Sequence, residues 1–407
     1  MRILTIETSC DESAISLTES DSSDFDGAQF SKISVLGDTI YSQAALHAEF
    51  GGVYPNLAKR EHSKNLVPAL EFVLSQAQEL QRVATPEIEK ERLDLIKEIL
   101  NREQELFARL LMFFAQYSTP QIDAIATVSG PGLAPALWVG VNFARALSVA
   151  WDKPVIKINH MEGHIHSSLF PDDLKIEPGA DLRLKKIQYP ALALLLSGGH
   201  TELVEIQEPL RYRKLGQTLD DAVGEAYDKV ARLLGLSYPG GPEISRLSDE
   251  FEQSGTEKNE KISLPRPKLH DDDLDFSFSG LKTAVLRLVQ DLGGAESLSE
   301  DIKMQIAYEF EMAVQDVILK KLQRAFEEGN YKTLLFGGGV SANRRLRDEL
   351  KEFAKQEGTE FLLPPMALTG DNSLMSALVA HNKAQILKEK AFVKQENLQA
   401  ESSWELD

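Results

Sequence analysis

Cysteine is almost absent: Cys10 stands alone among 407 residues. An internal disulfide framework is therefore excluded, and a lone thiol suits a reducing compartment. No histidine or asparagine is placed by sequence to activate Cys10, so it reads as structural. Long apolar runs are also missing, and no window approaches the roughly 18 uninterrupted apolar residues of a membrane span. The opening Met1-Arg2-Ile3-Leu4-Thr5-Ile6-Glu7 turns polar too early for a signal peptide and is expected to form a first β-strand. A cytoplasmic protein without membrane contact is the expectation. Positive charge is in deficit, with 44 Lys and Arg against 63 Asp and Glu, a net charge of −19. Such a chain repels a phosphate backbone over most of its surface. RNA binding would then need local clusters, such as Lys59-Arg60 or Arg344-Arg345 with Arg347, or a basic partner subunit. No G-x-x-x-x-G-K-[ST] occurs, which excludes a P-loop enzyme.

What is present starts with His160-Met161-Glu162-Gly163-His164. Half of the eight histidines fall between positions 160 and 200, and this pair is spaced i, i+4. On a helix that spacing puts both imidazoles on one face, within reach of one divalent ion. A solvated histidine pair is the bland alternative. Gly-rich turns elsewhere and the acidic loop Gly370-Asp371-Asn372 weigh against it. A metalloprotease reading is weak, because the zincin motif needs Glu where Met161 stands. Glu162 and His166 lie off the shared face and are excluded as ligands.

Apolar residues make up 43% and charged residues 26%, the proportions of a globular chain with room for two domains. Residues 2–8 and 13–18 read as a hairpin, followed by a polar loop at 20–27 and a strand near 32–41. A helix is expected from about 57, and a helical insertion over 76–116 with one break at Pro86. Strand 122–128 leads through Ser129-Gly130-Pro131-Gly132 into a helix at 135–150. Strand 154–158 then runs into the histidine helix, and 171–186 reads as a linker or second insertion. The pattern restarts with strand 191–196, the turn Ser197-Gly198-Gly199-His200 and a returning strand at 201–206. A helix over 220–236 carries Asp220, Asp221, Glu225 and Asp228, with Asp220 and Asp221 read as its cap. Strand 333–336 enters Gly337-Gly338-Gly339, with a helix expected to open near Ser341. Strand, glycines and helix N-terminus together favour an anion, either a nucleotide or an acyl phosphate.

Phosphate turns in both halves suggest an α/β fold of two similar lobes around a central cleft. That is the actin-like ATPase, sugar-kinase and heat-shock ATPase architecture. The expected division is 1–187 for the N-terminal lobe, completed by a helix at 371–387, then 188–370 for the C-terminal lobe and 388–407 as a polar tail. Six motifs occur in order: Ile6-Glu7-Thr8-Ser9-Cys10-Asp11-Glu12, the histidine pentad, Leu196-Ser197-Gly198-Gly199-His200-Thr201, Phe276-Ser277-Phe278-Ser279-Gly280-Leu281-Lys282-Thr283, Gly337-Gly338-Gly339-Val340-Ser341-Ala342-Asn343, and Gly370-Asp371-Asn372. By these the chain closely resembles the bacterial tRNA N6-adenosine threonylcarbamoyltransferases (the TsaD family, formerly called glycoproteases).

The resemblance implies transfer of a threonylcarbamoyl group from threonylcarbamoyl-AMP to N6 of the adenosine 3′ of the anticodon, in tRNAs reading A-starting codons. AMP is released. It implies that His160, His164 and Asp371 hold one divalent metal, Fe(II) first and Zn(II) second. It implies adenylate binding by Leu195, Leu196, Ser197, Gly198, Gly199, Asp228, Gly241 and Asn343. Asp11 and Glu12 fall where this architecture places its reacting centre. Asp11 is read as the base for the adenine amine, with loop ordering as its alternative role. His200 receives no role. Implied partners are tRNA, a paralogue lacking the metal site, which forms a heterodimer, and a small P-loop ATPase. The chain departs from the family at Ser129, where an arginine is common. A kinase or chaperone of the same architecture and a non-catalytic scaffold are the alternatives.

Overall fold

The computed structural model describes residues 1–84 and 88–406. The break expected at Pro86 lies outside the described residues. In chain order the first half comprises β1 (Arg2–Glu7), β2 (Glu12–Glu19), β3 (Lys32–Ser42), α1 (Ala44–Ala48), α2 (Pro55–Gln76), α3 (Lys90–Ile99) and α4 (Gln104–Gln116). It continues with β4 (Ala124–Gly130), α5 (Ala134–Trp151), β5 (Val155–Asn159), α6 (His160–Ser167) and β6 (Ala180–Arg183). Next come β7 (Ala191–Leu196), β8 (Thr201–Glu208), β9 (Arg211–Gln217), α7 (Val223–Leu233), α8 (Gly240–Ser254), α9 (Ser279–Asp291) and α10 (Glu300–Glu328). The chain ends with β10 (Thr333–Gly337), α11 (Arg344–Glu357), β11 (Glu360–Leu362), α12 (Ser373–Leu387) and β12 (Phe392–Val393).

Two compact units divide these elements. The first holds Met1–Leu46, Val53–Lys186 and Pro364–Leu406; the second holds His47–Gly52 and Ile187–Leu363. The first unit carries a seven-stranded sheet in the order β12-β5-β4-β1-β2-β3-β6, the second a five-stranded sheet in the order β11-β10-β7-β8-β9. Both follow one plan. A first strand pairs antiparallel with a meander on one side, β1 with β2 and β3, or β7 with β8 and β9. On its other side it pairs parallel with a later strand, β1 with β4, or β7 with β10. The α/β class and the mid-chain restart are thus both seen.

Burial explains the strands. β4 and β7 are buried at every position, as expected of strands covered on both faces. In the first unit Leu4, Ile6, Leu70, Phe113, Val139 and Leu147 share one core. The inserted helices join it through Ile96, Ile99, Leu106, Leu110 and Phe113. In the second unit Leu192, Leu194, Val223, Phe276, Phe310 and Phe336 form the corresponding core around α10. Residues 388–406, polar in sequence, add β12 to the edge at β5 and bury Leu398.

Candidate metal centre and nucleotide-binding turns

The histidine helix starts where the sequence places it. Asn159 caps α6, its side chain accepting from Met161 N at 2.8 Å. The i, i+4 spacing then sets the His160 and His164 rings 4.5 Å apart, centroid to centroid. Gly163 lies between them, facing α12. A Cβ there would sit 3.0 Å from Met375 Cγ and 3.3 Å from Ser376 Oγ, so only glycine allows this approach without displacement. Asn372 caps α12 by accepting from Met375 N at 2.9 Å, which fixes Asp371 just ahead of the helix. His160 Nε2 and His164 Nε2 lie 3.4 and 3.2 Å from Asp371 Oδ1. One ligand atom from each of the three residues falls within 4.8 Å of the others.

Behind this triad sits Glu7, a residue the sequence reading passed over. It is fully buried at the end of β1. Its Oε1 accepts from Ser9 N at 2.6 Å, and its Oε2 lies 3.1 Å from His160 Nδ1. Ser9 Oγ is 3.2 Å from the same ring nitrogen. A charged residue at the end of an apolar strand was the available signal. Burial pulls the His160 pKa down, but the carboxylates of Asp371 and Glu7 outweigh it and raise the value to about 9. Burial and the neighbouring His160 lower the pKa of His164. Glu162 and His166 lie apart from the triad: Glu162 pairs with Lys383 of α12 at 2.5 Å, and His166 Nδ1 lies 2.8 Å from Glu162 O.

Asp11 and Glu12 stand in the same unit, at the turn from β1 into β2. Glu12 Oε1 accepts from Ser42 Oγ at 3.1 Å. Its pKa is pushed up to about 9 by burial and then by the charges of Asp371 and Asp11. The Cys10 thiol is raised well above its usual value by burial, with Asp11 adding to it, which suits an inert thiol. Ser129 is fully buried, and its carbonyl accepts from Glu401 N at 2.7 Å.

The other predicted site residues lie in the second unit. Leu195 and Leu196 close β7, and the register Leu195↔Gly337 brings the two Gly-rich turns side by side. Ser197 Oγ accepts from Gly199 N at 3.3 Å and His200 N at 3.0 Å, shaping the first turn. Open space of at least 4 Å lies where side chains would project from Gly198, Gly199 and Gly241. Asp228 Oδ1 accepts from Gly240 N at 2.7 Å, and burial raises its pKa.

Two local expectations are corrected. The helix expected to open near Ser341 starts at Arg344, after a 3₁₀ turn at Gly339–Ala342. Asn343 caps it, accepting from Leu346 N at 2.9 Å while its amide donates to buried Glu311 at 2.7 Å. Asp220 caps a helix, but not its own. It accepts from Phe278 N at 2.8 Å and Ser279 N at 3.1 Å, closing the start of α9. The basic clusters are largely paired: Lys59 with Glu103 at 3.0 Å, and Arg345 with Glu252 at 2.9 Å. No helix among the described residues is long and apolar enough to cross a membrane.

Comparison with known proteins bears on the family of the chain. Residues 34–86 and 105–378 match the family described as TsaD, tRNA N6-adenosine threonylcarbamoyltransferase. The tRNA N6-adenosine threonylcarbamoyltransferase of Paraburkholderia xenovorans (strain LB400) is 40% identical over 385 residues, covering 95% of this chain and 93% of its own. That of Persephonella marina (strain DSM 14350 / EX-H1) is 39% identical over 386 residues, covering 94% and 90%. Among solved structures, full-length HypF in its phosphate- and nucleotide-bound form gives a TM-score of 0.51 at 12% identity. The match spans 96% of this chain but only 47% of HypF, and the likeness is one of fold alone. With the family model matched over most of its residues and relatives about 40% identical along almost its whole length, the chain belongs to the tRNA N6-adenosine threonylcarbamoyltransferase family and is a transferase that modifies tRNA.

Proposed function

We propose that this enzyme moves a threonylcarbamoyl group from threonylcarbamoyl-AMP to N6 of the adenosine 3′ of the anticodon, in tRNAs reading A-starting codons. The assembled triad of His160, His164 and Asp371, backed by Glu7, carries this reading. The donor set fits a divalent cation. Glu7 engages Nδ1 of His160, leaving Nε2 for a ligand, as carboxylates behind metal-binding histidines commonly do. Two imidazoles and one carboxylate with open positions suit Fe(II) first and Zn(II) second. Such a cation would supply Lewis acidity, or an anchor, for the threonylcarbamoyl oxygens. A scaffold would have no use for this arrangement, and a kinase of the same architecture would not need the histidine pair.

The donor is a mixed anhydride and already activated, so no enzyme nucleophile is needed. The adenine N6 forms the new C–N bond, the carbamoyl carbon–phosphate oxygen bond breaks, and the N6 proton leaves. Asp11 is assigned as its acceptor, with Glu12 beside it; a lone amine attached to an aromatic ring needs such a base. Leu195, Leu196, Ser197, Gly198 and Gly199 would line the adenylate, the open space at Gly198 and Gly199 allowing its phosphate to approach the backbone closely. Gly241 would allow close approach of the nucleotide, Asp228 would meet its ribose hydroxyls, and Asn343 would help line the site.

The net charge of −19 supports dependence on partners for tRNA docking. The partners proposed are a paralogue lacking the metal site and a small P-loop ATPase, all acting in the cytoplasm. The test is incubation of unmodified tRNA with the protein, these partners and synthetic threonylcarbamoyl-AMP. One AMP released per threonylcarbamoyladenosine formed is expected. ATP turnover stimulated by a small substrate, with no modified nucleoside, would favour the kinase instead.

A further inference from the structure

Residues 398–406 are polar in sequence, yet they are fastened to the first unit at several points. Leu398 is buried in the core that holds Leu4, Leu66 and Val139. Glu401 N donates to Ser129 O at 2.7 Å, and Gly132 N donates to Ser402 O at 3.3 Å. A Cβ on Gly130 would overlap the Glu401 carbonyl, so glycine is what lets the segment lie against this turn. Asn159 Nδ2 donates to Trp404 O at 3.3 Å and Glu405 O at 3.5 Å. The Trp404 ring faces Lys157 Nζ at 4.1 Å and Lys383 Nζ at 5.6 Å. Glu401 also pairs with Lys157.

Both elements held in this way lead to His160. Asn159 is the cap of α6, and His160 is the next residue. At the other turn, Leu133 N donates to Ser9 O at 2.8 Å, and Ser9 Oγ lies 3.2 Å from His160 Nδ1. Helix α6 is only 8 residues long. A helix that short does not hold its own N-terminus, and its first turn is fixed by what surrounds it. His160 sits in that first turn, whereas His164 is braced by the packing of Gly163 on α12.

We propose that residues 398–406 form a strap that sets the position of His160, acting through Asn159 and through the Ser129–Gly132 turn, with Trp404 as its main positioning residue. The strap rests on the reading of His160, His164 and Asp371 as metal ligands. A ligand whose support loosens loses affinity for the ion before the fold is lost.

The test uses the full chain and Co(II) as probe, because its visible absorption reports ligand geometry. Trp404→Ala and Asn159→Ser, which keeps a capping hydroxyl but not the strap contacts, should each weaken Co(II) binding roughly tenfold and change the spectrum. Trp404→Phe, which keeps an aromatic face, should restore both. The double variant should be no worse than either single one, since both cut the same link. If Trp404→Ala does not fold, Trp404→Phe and Asn159→Ser carry the test: a wild-type spectrum and affinity in Asn159→Ser overturns the strap. A lower thermal midpoint with unchanged Co(II) affinity and spectrum also overturns it, leaving a packing role only. Wild-type protein that fails to bind Co(II), or His164→Ala binding it equally well, overturns the metal reading and the strap with it. Binding lost in His164→Ala but intact in the strap variants overturns the strap alone.

Discussion

Replacing Glu7 with glutamine isolates the support behind the triad. Glutamine keeps the shape and one acceptor oxygen but removes the negative charge. In the wild type that charge meets His160 Nδ1 at 3.1 Å and Ser9 N at 2.6 Å in a fully buried setting. A hydrogen bond to a charged partner contributes about 1.5–3 kcal/mol and a neutral one about 0.5–1.5, so the loss is about 1–2 kcal/mol. At 1.4 kcal/mol per factor of ten, metal affinity should fall roughly 5- to 30-fold. The metal-free fold should lose stability as well, because removing one partner of a buried pair leaves the His160 imidazole without the carboxylate that favours its charged form. The assay is competition for Zn(II) or Co(II) against a chromophoric chelator, with denaturant unfolding of the metal-free proteins alongside. Glu7 also favours the protonated His160, so both proteins are compared at one pH. Equal affinities for the wild type and Glu7→Gln would refute the reasoning and make Glu7 a loop-ordering residue.

Other consequences are local. His381 is buried between Thr18 Oγ1 at 2.9 Å and Ser20 Oγ at 2.8 Å, and burial lowers its pKa from 6.5 to about 3. Only the unfolded chain binds this proton as pH falls from about 6.5 towards 3, so this residue should cost about 1.4 kcal/mol of stability per pH unit across that window. His381→Gln should flatten the acid slope in denaturant titrations, and an unchanged slope would deny the effect. Gly163→Val should force α6 from α12, costing about 1–3 kcal/mol and weakening metal binding; calorimetry with and without Zn(II) reads both, and a wild-type profile would count against the close packing. Asp220→Ala should remove the cap of α9 and about 1 kcal/mol, with Asp220→Asn losing less, as read by urea midpoints. Equal midpoints in all three proteins would mean that α9 does not depend on this contact.

Much of the fold was legible because its signals are local. The strands at 191–196 and 333–336 are short apolar runs entering glycine turns, and the structure shows them as the paired centre of the second sheet. The histidine pair was legible for the same reason, since i, i+4 spacing is fixed by helical pitch. Asp371 could be joined to it only through family resemblance, because no local rule links residues brought together by α6 packing on α12. Asp220 shows the limit clearly: its type predicted a cap, but the capped helix is formed by residues 58 and 59 positions further on. Glu7 was hidden among strand residues, and its role depends on His160, 153 positions away. Residues 398–406 were masked by composition, since three apolar anchors, Leu398, Trp404 and Leu406, are too few to make a pattern.

The central claim is that His160 and His164 serve threonylcarbamoyl transfer. The most direct measurement is nucleoside mass analysis of unmodified A-codon tRNA after incubation with threonylcarbamoyl-AMP, the partner subunits and either the wild type or His160→Ala/His164→Ala. Threonylcarbamoyladenosine is predicted with the wild type and not with the double variant. Equal product from both proteins would contradict the account, keeping the transferase but removing the histidine pair from its mechanism.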